Sequence, residues 1–181
     1  MKRDSTEMVL ILAALVCLAN KVSSQNLTLV NHTSTVWSVR FVEESNGDRF
    51  LVSGSIDYKI NFWSQSNSGW SLKGQINNVY TQFMAPIGNQ LATVSGSNIR
   101  VWNVSTRTLN RTYPFNISIV ELAISPSQSL LAAGTGNISQ VLNLTSGLLV
   151  STMCCHTDRV RSLVFYSEDI LVTGIALNDL N

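Results

Sequence analysis

The sequence has few charged residues, with 12 Lys and Arg against 11 Asp and Glu and a formal net charge of +1. The basic residues cluster no more closely than Arg159-Val160-Arg161. Proteins that bind DNA or RNA through phosphates carry a concentrated positive patch. We therefore do not expect a nucleic-acid partner.

Cysteine and histidine are also scarce, with three Cys and two His. No Cys-x-x-Cys or His/Cys spacing resembles a metal site, and we expect neither a metal nor another cofactor. Cys17 lies in an apolar run, whereas Cys154 and Cys155 are adjacent and could bridge each other only through a strained ring. In an oxidising compartment one of them could pair with another chain. Alternatively, one thiol is buried and the other is exposed without a role.

The sequence contains no arrangement of residues that is typical of a catalytic site. His32 and His156 occupy equivalent positions in two similar segments, so both are expected to orient hydrogen bonds. A catalytic base needs a nucleophile and an orienting acid that converge on it. We expect no catalytic residues and no enzyme activity.

The N-terminus lacks a segment long enough to span a bilayer. The apolar run from Met8 to Ala19 is shorter than the about 20 residues that a span needs. Met1-Lys2-Arg3 precedes the run and the small residues Val22-Ser23-Ser24 follow it, which is typical of a secretory signal peptide at residues 1–24. The mature chain at residues 25–181 would be secreted or lumenal, without a membrane span. The alternative is a membrane anchor that is not cleaved.

Acceptor patterns for N-glycosylation also favour export. They are Asn-x-Ser/Thr triplets, and their frequency exceeds chance only moderately in a chain rich in Asn, Ser and Thr. The candidates are Asn26, Asn31, Asn103, Asn110, Asn116, Asn137 and Asn143. Asn103 and Asn143 are expected after a strand and Asn137 in a hairpin, where surface acceptors belong.

An internal repeat is the strongest positive feature of the chain. His32-Thr33-Ser34-Thr35-Val36-Trp37 recurs as His156-Thr157-Asp158-Arg159-Val160-Arg161. Landmark valines recur at steps of about 40 residues, the length of one structural unit. They are Val36, Val79, Val120 and Val160.

Each unit contains apolar, β-branched runs bounded by Gly, Asn and Ser. The second strands are expected at 50–54, 90–96, 130–134 and 170–174, and the third strands at 59–63, 99–102 and 139–142. Short runs of this kind at regular spacing predict an all-β chain without helices in the repeats. The repeat boundaries are expected near 32–74, 75–115, 116–155 and 156–181.

Ser53-Gly54-Ser55-Ile56-Asp57-Tyr58-Lys59-Ile60-Asn61-Phe62-Trp63, with His32 upstream, resembles the WD-repeat family. The resemblance implies propeller blades of four antiparallel strands. It also implies a hydrogen-bonded network of His32, Ser53, Asp57 and Trp63. The second unit keeps Ser95 and Trp102 but lacks the histidine and aspartate, and the third has Leu142 where tryptophan belongs.

The resemblance implies a non-catalytic scaffold that binds other proteins at the rim of an open or incomplete propeller. The residues after the landmark valines are expected to begin the inner strands near that rim and to contact a partner: Trp37, Tyr80, Glu121 and Arg161. Aromatic residues and arginine are enriched in binding hot spots. Alternatively, Trp37 and Tyr80 pack between blades.

Two other functions stay open. The chain could be a receptor for glycans or small ligands at the propeller mouth, or a fragment of a larger WD-repeat protein with a further effector domain. Because closed propellers typically have four to eight blades, three and a half repeats are expected to leave open strand edges. Those edges, or Cys154 and Cys155, could support self-association.

Overall fold

The computed structural model describes residues 28–44, 46–115, 117–154 and 156–175, which form three four-stranded sheets and one two-stranded sheet. Sheet 1 contains β1 (Val36–Glu43), β2 (Arg49–Ser55), β3 (Lys59–Ser66) and β4 (Gly69–Asn77). Sheet 2 contains β5 (Met84–Ile87), β6 (Gln90–Ser95), β7 (Asn98–Asn103) and β8 (Leu109–Pro114). Sheet 3 contains β9 (Glu121–Ile124), β10 (Leu130–Thr135), β11 (Ile138–Asn143) and β12 (Leu149–Met153). Sheet 4 contains β13 (Val160–Phe165) and β14 (Leu171–Ile175).

Within each sheet the strands are antiparallel and follow chain order. No helix is assigned in the described ranges, so the all-β prediction is confirmed. The expected second and third strands coincide with β2, β6, β10, β14 and with β3, β7, β11. Sheet 1 reaches beyond the expected boundary at 74, because β4 pairs with β3 as far as Asn77.

The sheets pack face to face, and each four-stranded sheet has two different faces. We call the side towards the following sheet the forward face and the other side the rear face. Forward Phe62 and Val52 of sheet 1 share a core with rear Leu91 and Trp102 of sheet 2. Two further cores lie between sheets 2 and 3 and between sheets 3 and 4. Strand residues therefore alternate between two buried faces, as expected for stacked sheets.

A hydrogen bond of the same kind joins each sheet to the next one. The amide of Val79 donates to the carbonyl of Tyr58 at 3.1 Å. The amide of Ile119 donates to Gly96 at 3.3 Å, and that of Val160 donates to Gly136 at 2.8 Å. In each case the acceptor lies in the turn after the second strand of the preceding sheet. These turns, at 56–58, 96–97 and 136–137, define what we call the upper end of the molecule.

Sheet 4 is fastened to sheet 3 at the opposite end. Glu168, between β13 and β14, accepts hydrogen bonds from the hydroxyls of Ser125, Ser127 and Ser129 at 2.9, 2.7 and 2.8 Å. The amide of Ser127 donates to the same carboxylate at 3.1 Å. The hydrogen bonds from the Ser127 and Ser129 hydroxyls are the main cause that lowers the pKa of Glu168 to about 2, and burial opposes them. The carboxylate is thus ionised across the physiological pH range.

Candidate functional site

The structure brings together the four residues of the expected network in sheet 1. His32 contacts Asp57 Oδ2 through Nδ1 at 3.0 Å and Ser53 Oγ through Nε2 at 2.8 Å. Trp63 Nε1 donates to the same Ser53 hydroxyl at 2.9 Å. The side chains of His32 and Asp57 are 6% and 3% exposed. A buried chain of polar groups therefore ties the segment before β1 to β2, β3 and the turn between them.

Asp57 is held in its ionised form. Burial by itself would raise its pKa, but hydrogen bonds from the Thr33 amide and from His32, the charge of His32, and the Lys59 amide together lower the pKa below its usual 3.8. The Thr33 and Lys59 amides donate at 2.9 and 3.0 Å. Because these partners come from the segment before β1 and from the start of β3, the network organises the local structure of sheet 1.

Sheet 2 contains a shorter version of this network, but with another residue than expected. Trp102 Nε1 donates to Thr93 Oγ1 at 2.9 Å, and Thr93 is completely buried. Ser95 lies at the end of β6 and is only partly buried. The register explains the difference, because Leu91 pairs with Trp102 as Leu51 pairs with Trp63, which makes Thr93 the counterpart of Ser53. The assignment of Ser95 is therefore wrong.

In sheet 4, His156 Nε2 lies 2.6 Å from Thr173 Oγ1. Thr173 pairs with Leu163 as Ser53 pairs with Val39, so His156 and Thr173 repeat the contact between His32 and Ser53. Both histidines thus have a hydrogen-bonding partner in the second strand of their own sheet.

Two of the candidate partner-binding residues occupy β-bulges at the upper end. Val36 pairs with Ser55 and Ser38 with Gly54, which leaves Trp37 as the bulged residue. Arg161 is bulged in the same way between Val160 and Ser162. Trp37 is 54% exposed, and Arg161 is also exposed. Bulges redirect a side chain out of the regular pleat and are frequent beside functional sites.

The other two candidates do not occupy bulges. β5 begins only at Met84, so Tyr80 lies in the segment before the strand and does not begin it. Glu121 begins β9, but it pairs with Gly134 as Ser162 pairs with Gly174, one position beyond the bulge. Ile119, whose amide makes the inter-sheet bond, occupies the position expected for Val120. Tyr80 does not begin a strand because β5 pairs with β6 only from Met84 onwards, whereas Glu121 begins its strand as expected.

Tyr58 belongs to the upper end and was missed as a candidate for partner binding. It has a φ of 65° and is 56% exposed. Its ring contacts that of Tyr80, with centroids 5.7 Å apart and a tilt of 53°. The sequence signal was an aromatic residue at the end of a tight turn, where glycine or asparagine is usual.

The glycosylation candidates differ in exposure. Asn110 and Asn137 are exposed, and Asn137 Nδ2 donates to the carbonyl of His156 at 3.3 Å. Asn103 and Asn143 end β7 and β11, where their side-chain oxygens accept amide hydrogens of the following turns at 2.8–3.0 Å. Asn31 is partly buried and accepts a hydrogen bond from Gln75 at 2.6 Å. Asn26 and Asn116 lie outside the described residues.

The described residues contain no group of His, Cys, Asp and Glu that could hold a metal ion. Cys154 is exposed, and Cys155 and the predicted signal peptide at residues 1–24 lie outside the described ranges. In those same ranges, no helix has the length and apolar character needed to cross a membrane.

An open groove of about 310 Å³ lies between sheets 2 and 3. Tyr113 forms part of its wall and donates its hydroxyl to the carbonyl of Leu144 at 2.6 Å, which ties β8 to the turn after β11. Arg111 donates to the carbonyls of Leu144 and Thr145 at 3.0 and 2.9 Å. These side chains are engaged in joining the two sheets.

Comparison with known proteins identifies the fold. Residues 23–64 match the WD40 family, described as WD domain, G-beta repeat. The fold is that of WD40 repeats. The crystal structure of RRP9 WD40 repeats matches with a TM-score of 0.68 and 20% identity over 80% of this chain and 46% of that one. A chain in the crystal structure of a mitotic checkpoint complex matches with a TM-score of 0.65 and 25% identity over 81% and 48% of the two chains.

The chain spans about half the length of the solved structures it matches. No curated protein is similar enough to its sequence to count as a match. Sheets 1 to 3 correspond to complete four-stranded propeller blades, as predicted. WD40 repeats are generally scaffolds for protein interaction and generally do not catalyse reactions.

Proposed function

We propose that this chain is a non-catalytic scaffold that binds a partner protein at its upper end. The observation that carries the proposal is the exposed Trp37, which is 54% accessible at a β-bulge instead of packed between sheets. Tryptophan exposed in this way loses little conformational freedom when a partner covers it, and it buries a large area. Arg161, bulged at the equivalent position of sheet 4, lies at the same end.

Site-specific photo-crosslinking tests this proposal. A photoreactive residue at position 37 should crosslink to one partner protein, whereas the same residue at Gln128, in the turn between β9 and β10 at the opposite end, should not. Trp37→Ala should weaken binding of the captured partner by about tenfold or more, as expected for a hot-spot residue. Equal crosslinking from both ends would contradict a specific surface.

A receptor for glycans or small ligands is the second candidate. The exposed Tyr58 ring and the partly buried Tyr80 ring beside it favour this function, since sugars stack on aromatic faces. The two functions differ in competition: free oligosaccharide should displace the ligand of a glycan receptor and leave a protein partner bound. Because the chain covers about half of the matched structures, an effector domain beyond these repeats also belongs among the proposals.

We further propose that the chain enters the secretory pathway and carries N-glycans. The charged start, apolar run and small residues of segment 1–24 support this, as does the exposure of Asn110 and Asn137. Secreted material should begin near Gln25 and lose mass when N-glycans are removed enzymatically. A cytosolic, unglycosylated product that retains Met8 to Ala19 would overturn the proposal.

A further inference from the structure

The outer strands of sheets 1, 2 and 3 differ in how their free edges are protected. Within the described residues, β4, β8 and β12 each pair with a neighbouring strand on one side only. Each has one bulged residue at the same place opposite the third strand: Lys73 in β4, Asn110 in β8 and Val150 in β12. Natural proteins blunt such edges with lysine, other charged residues or proline, which hinder the pairing of a further strand.

Charged residues and proline protect the edges of sheets 1 and 2. β4 has the exposed lysine at its bulge, and β8 has exposed Arg111 and Pro114. β12 contains no charged residue and no proline, and its bulged Val150 is 55% exposed. Leu148 and Leu149, just before it, are 67% and 52% exposed. Of the three outer edges, that of sheet 3 is therefore the one open to an added strand.

An apolar groove lies beside this edge. It is the groove of about 310 Å³ between sheets 2 and 3, and its lining includes Leu149 of β12, Leu142 of β11 and, from β8 and the segment after it, Tyr113, Phe115 and Ile117. None of the described residues that line the groove is charged. Side chains of a strand point alternately to its two faces, so every second side chain of a strand added to β12 would lie beside Leu149 at the groove. Because a charge buried there would have no ionic partner, the side chains that fit are apolar.

We propose that the outer edge of β12 binds an extended, uncharged segment of a partner protein by strand addition. Backbone N–H and C=O groups on the outer side of β12 pair with those of the segment, and the groove receives its alternate apolar side chains. The occupant is a strand because another extended backbone matches the row of donors and acceptors at a sheet edge. The site uses no residue of the proposed upper surface, so it gives the chain a second and independent binding surface.

The test measures binding of a short, end-blocked peptide of alternating valine and threonine to the full chain by fluorescence anisotropy. The reference is the same peptide with alternate amides N-methylated, which keeps the side chains and removes the donors for strand pairing. The unmodified peptide should bind about tenfold more tightly or better, because each lost backbone hydrogen bond weakens the pairing. Its binding should slow amide hydrogen exchange in β12 and leave exchange in β8 unchanged.

Val150→Lys should weaken binding of the unmodified peptide by about tenfold or more, because it gives β12 the lysine that β4 has at the equivalent bulge. Val150→Thr, which keeps a β-branched side chain without charge, should bind like the wild type. Leu109→Lys is the control on sheet 2, where Leu109 is 49% exposed on β8, and it should leave binding unchanged. All three positions are exposed, so the variants should unfold within about 3 °C of the wild type.

Equal affinity for the two peptides, or unchanged binding in Val150→Lys, would overturn the proposal. Slower exchange in β14 without any change in β12 would also overturn it, since the added strand would then lie on sheet 4. A dimer of the chain that Val150→Lys dissociates would assign the edge to a second copy instead of a partner. If the peptide does not bind while crosslinking through position 37 still captures a partner, this inference fails and the scaffold function stands.

Discussion

At the scale of single residues, the buried network of sheet 1 is the feature most sensitive to substitution. His32 links Asp57 to Ser53, and Ser53 in turn accepts from Trp63. Each side chain is a partner of another, so removal of one member leaves a buried donor or acceptor unpaired. Such an orphaned group is costly because it has lost its hydration without gaining a replacement.

His32→Ala should therefore lower the free energy of unfolding by about 1–3 kcal/mol. Thr93→Ala should also destabilise the chain, because Trp102 loses its acceptor. Ser95→Ala is the control and should change stability by less than about 0.5 kcal/mol. Chemical denaturation measures all three. A Ser95 effect larger than that of Thr93 would contradict the assignment from the strand register.

The lowered pKa of Asp57 predicts how the stability of sheet 1 depends on pH. A carboxylate whose pKa is depressed in the folded state contributes stability above its unfolded pKa, and that contribution is lost as the pH falls through the folded pKa. The wild type should thus lose stability more steeply below about pH 4 than Asp57→Asn, in which the group cannot titrate. If the stability of both proteins fell equally steeply with pH, Asp57 would not be the group whose protonation destabilises the fold in acid.

At the scale of elements, glycines of the second strands decide how closely the sheets approach. A Cβ at Gly54 would collide with Thr81 and lie 3.0 Å from the sulfur of Met84, across the junction of sheets 1 and 2. At Gly174, the equivalent position in sheet 4, the nearest atom of the described residues to a Cβ would be the Ser162 Cβ at 3.7 Å, an ordinary van der Waals distance. The same residue type therefore has different consequences in the two sheets.

Gly54→Ala should lower the free energy of unfolding by about 1–3 kcal/mol, the usual cost of overpacking. Gly174→Ala should be neutral or slightly stabilising, because alanine has less conformational freedom in the unfolded chain. Thermal unfolding of the two variants provides the comparison. Equal destabilisation by both would mean that glycine serves the strand itself and not the contact between sheets.

The Glu168 contact should control the attachment of sheet 4 to sheet 3. Its carboxylate accepts from three serine hydroxyls and one amide, so Glu168→Ala should speed hydrogen exchange in β13 and β14 while leaving sheet 1 unchanged. Since the pKa of Glu168 is depressed to about 2, the contact should be intact above about pH 4.5 and weaken as the pH falls towards 2. Asp169→Ala, at the neighbouring exposed residue, is the matched control. If hydrogen exchange in β13 and β14 were equally fast in both variants, Glu168 would not be the residue that attaches sheet 4 to sheet 3.

The strands with dense apolar runs could be predicted from the sequence, whereas strands with few apolar residues could not. β2, β6 and β10 consist almost entirely of buried residues, so their apolar runs marked them clearly. The fourth strands β8 and β12 are mostly exposed and carry little apolar signal. Tyr58 could not be singled out, because its significance depends on a backbone angle and on its distance from Tyr80. Thr93 could be recognised as the counterpart of Ser53 only from the strand register, which the residue type alone does not specify.

At the scale of the whole molecule, sheet 4 differs from the others because its forward face carries exposed apolar side chains. Val164 and Val172 pair across β13 and β14 and are 55% and 51% exposed. In sheet 1 the corresponding Val52 is fully buried against sheet 2. An apolar blade face of this kind is what the neighbouring sheets of this chain use to pack against each other, so it should attract another apolar surface.

We therefore expect the isolated chain to self-associate through sheet 4, since its exposed valines and the outer edge of β14 can both recruit a second chain. Val164→Lys with Val172→Lys should shift the protein towards the monomer, because charges on an apolar face oppose its burial. Leu149→Lys, on the exposed strand β12 of sheet 3, is the control and should leave association unchanged. Light scattering across a concentration series, with and without reducing agent, separates association through this face from a disulfide of Cys154 or Cys155. A wild-type chain that stays monomeric and resists protease at every concentration would show that the uncovered face is stable in water, and the expectation of self-association would be wrong.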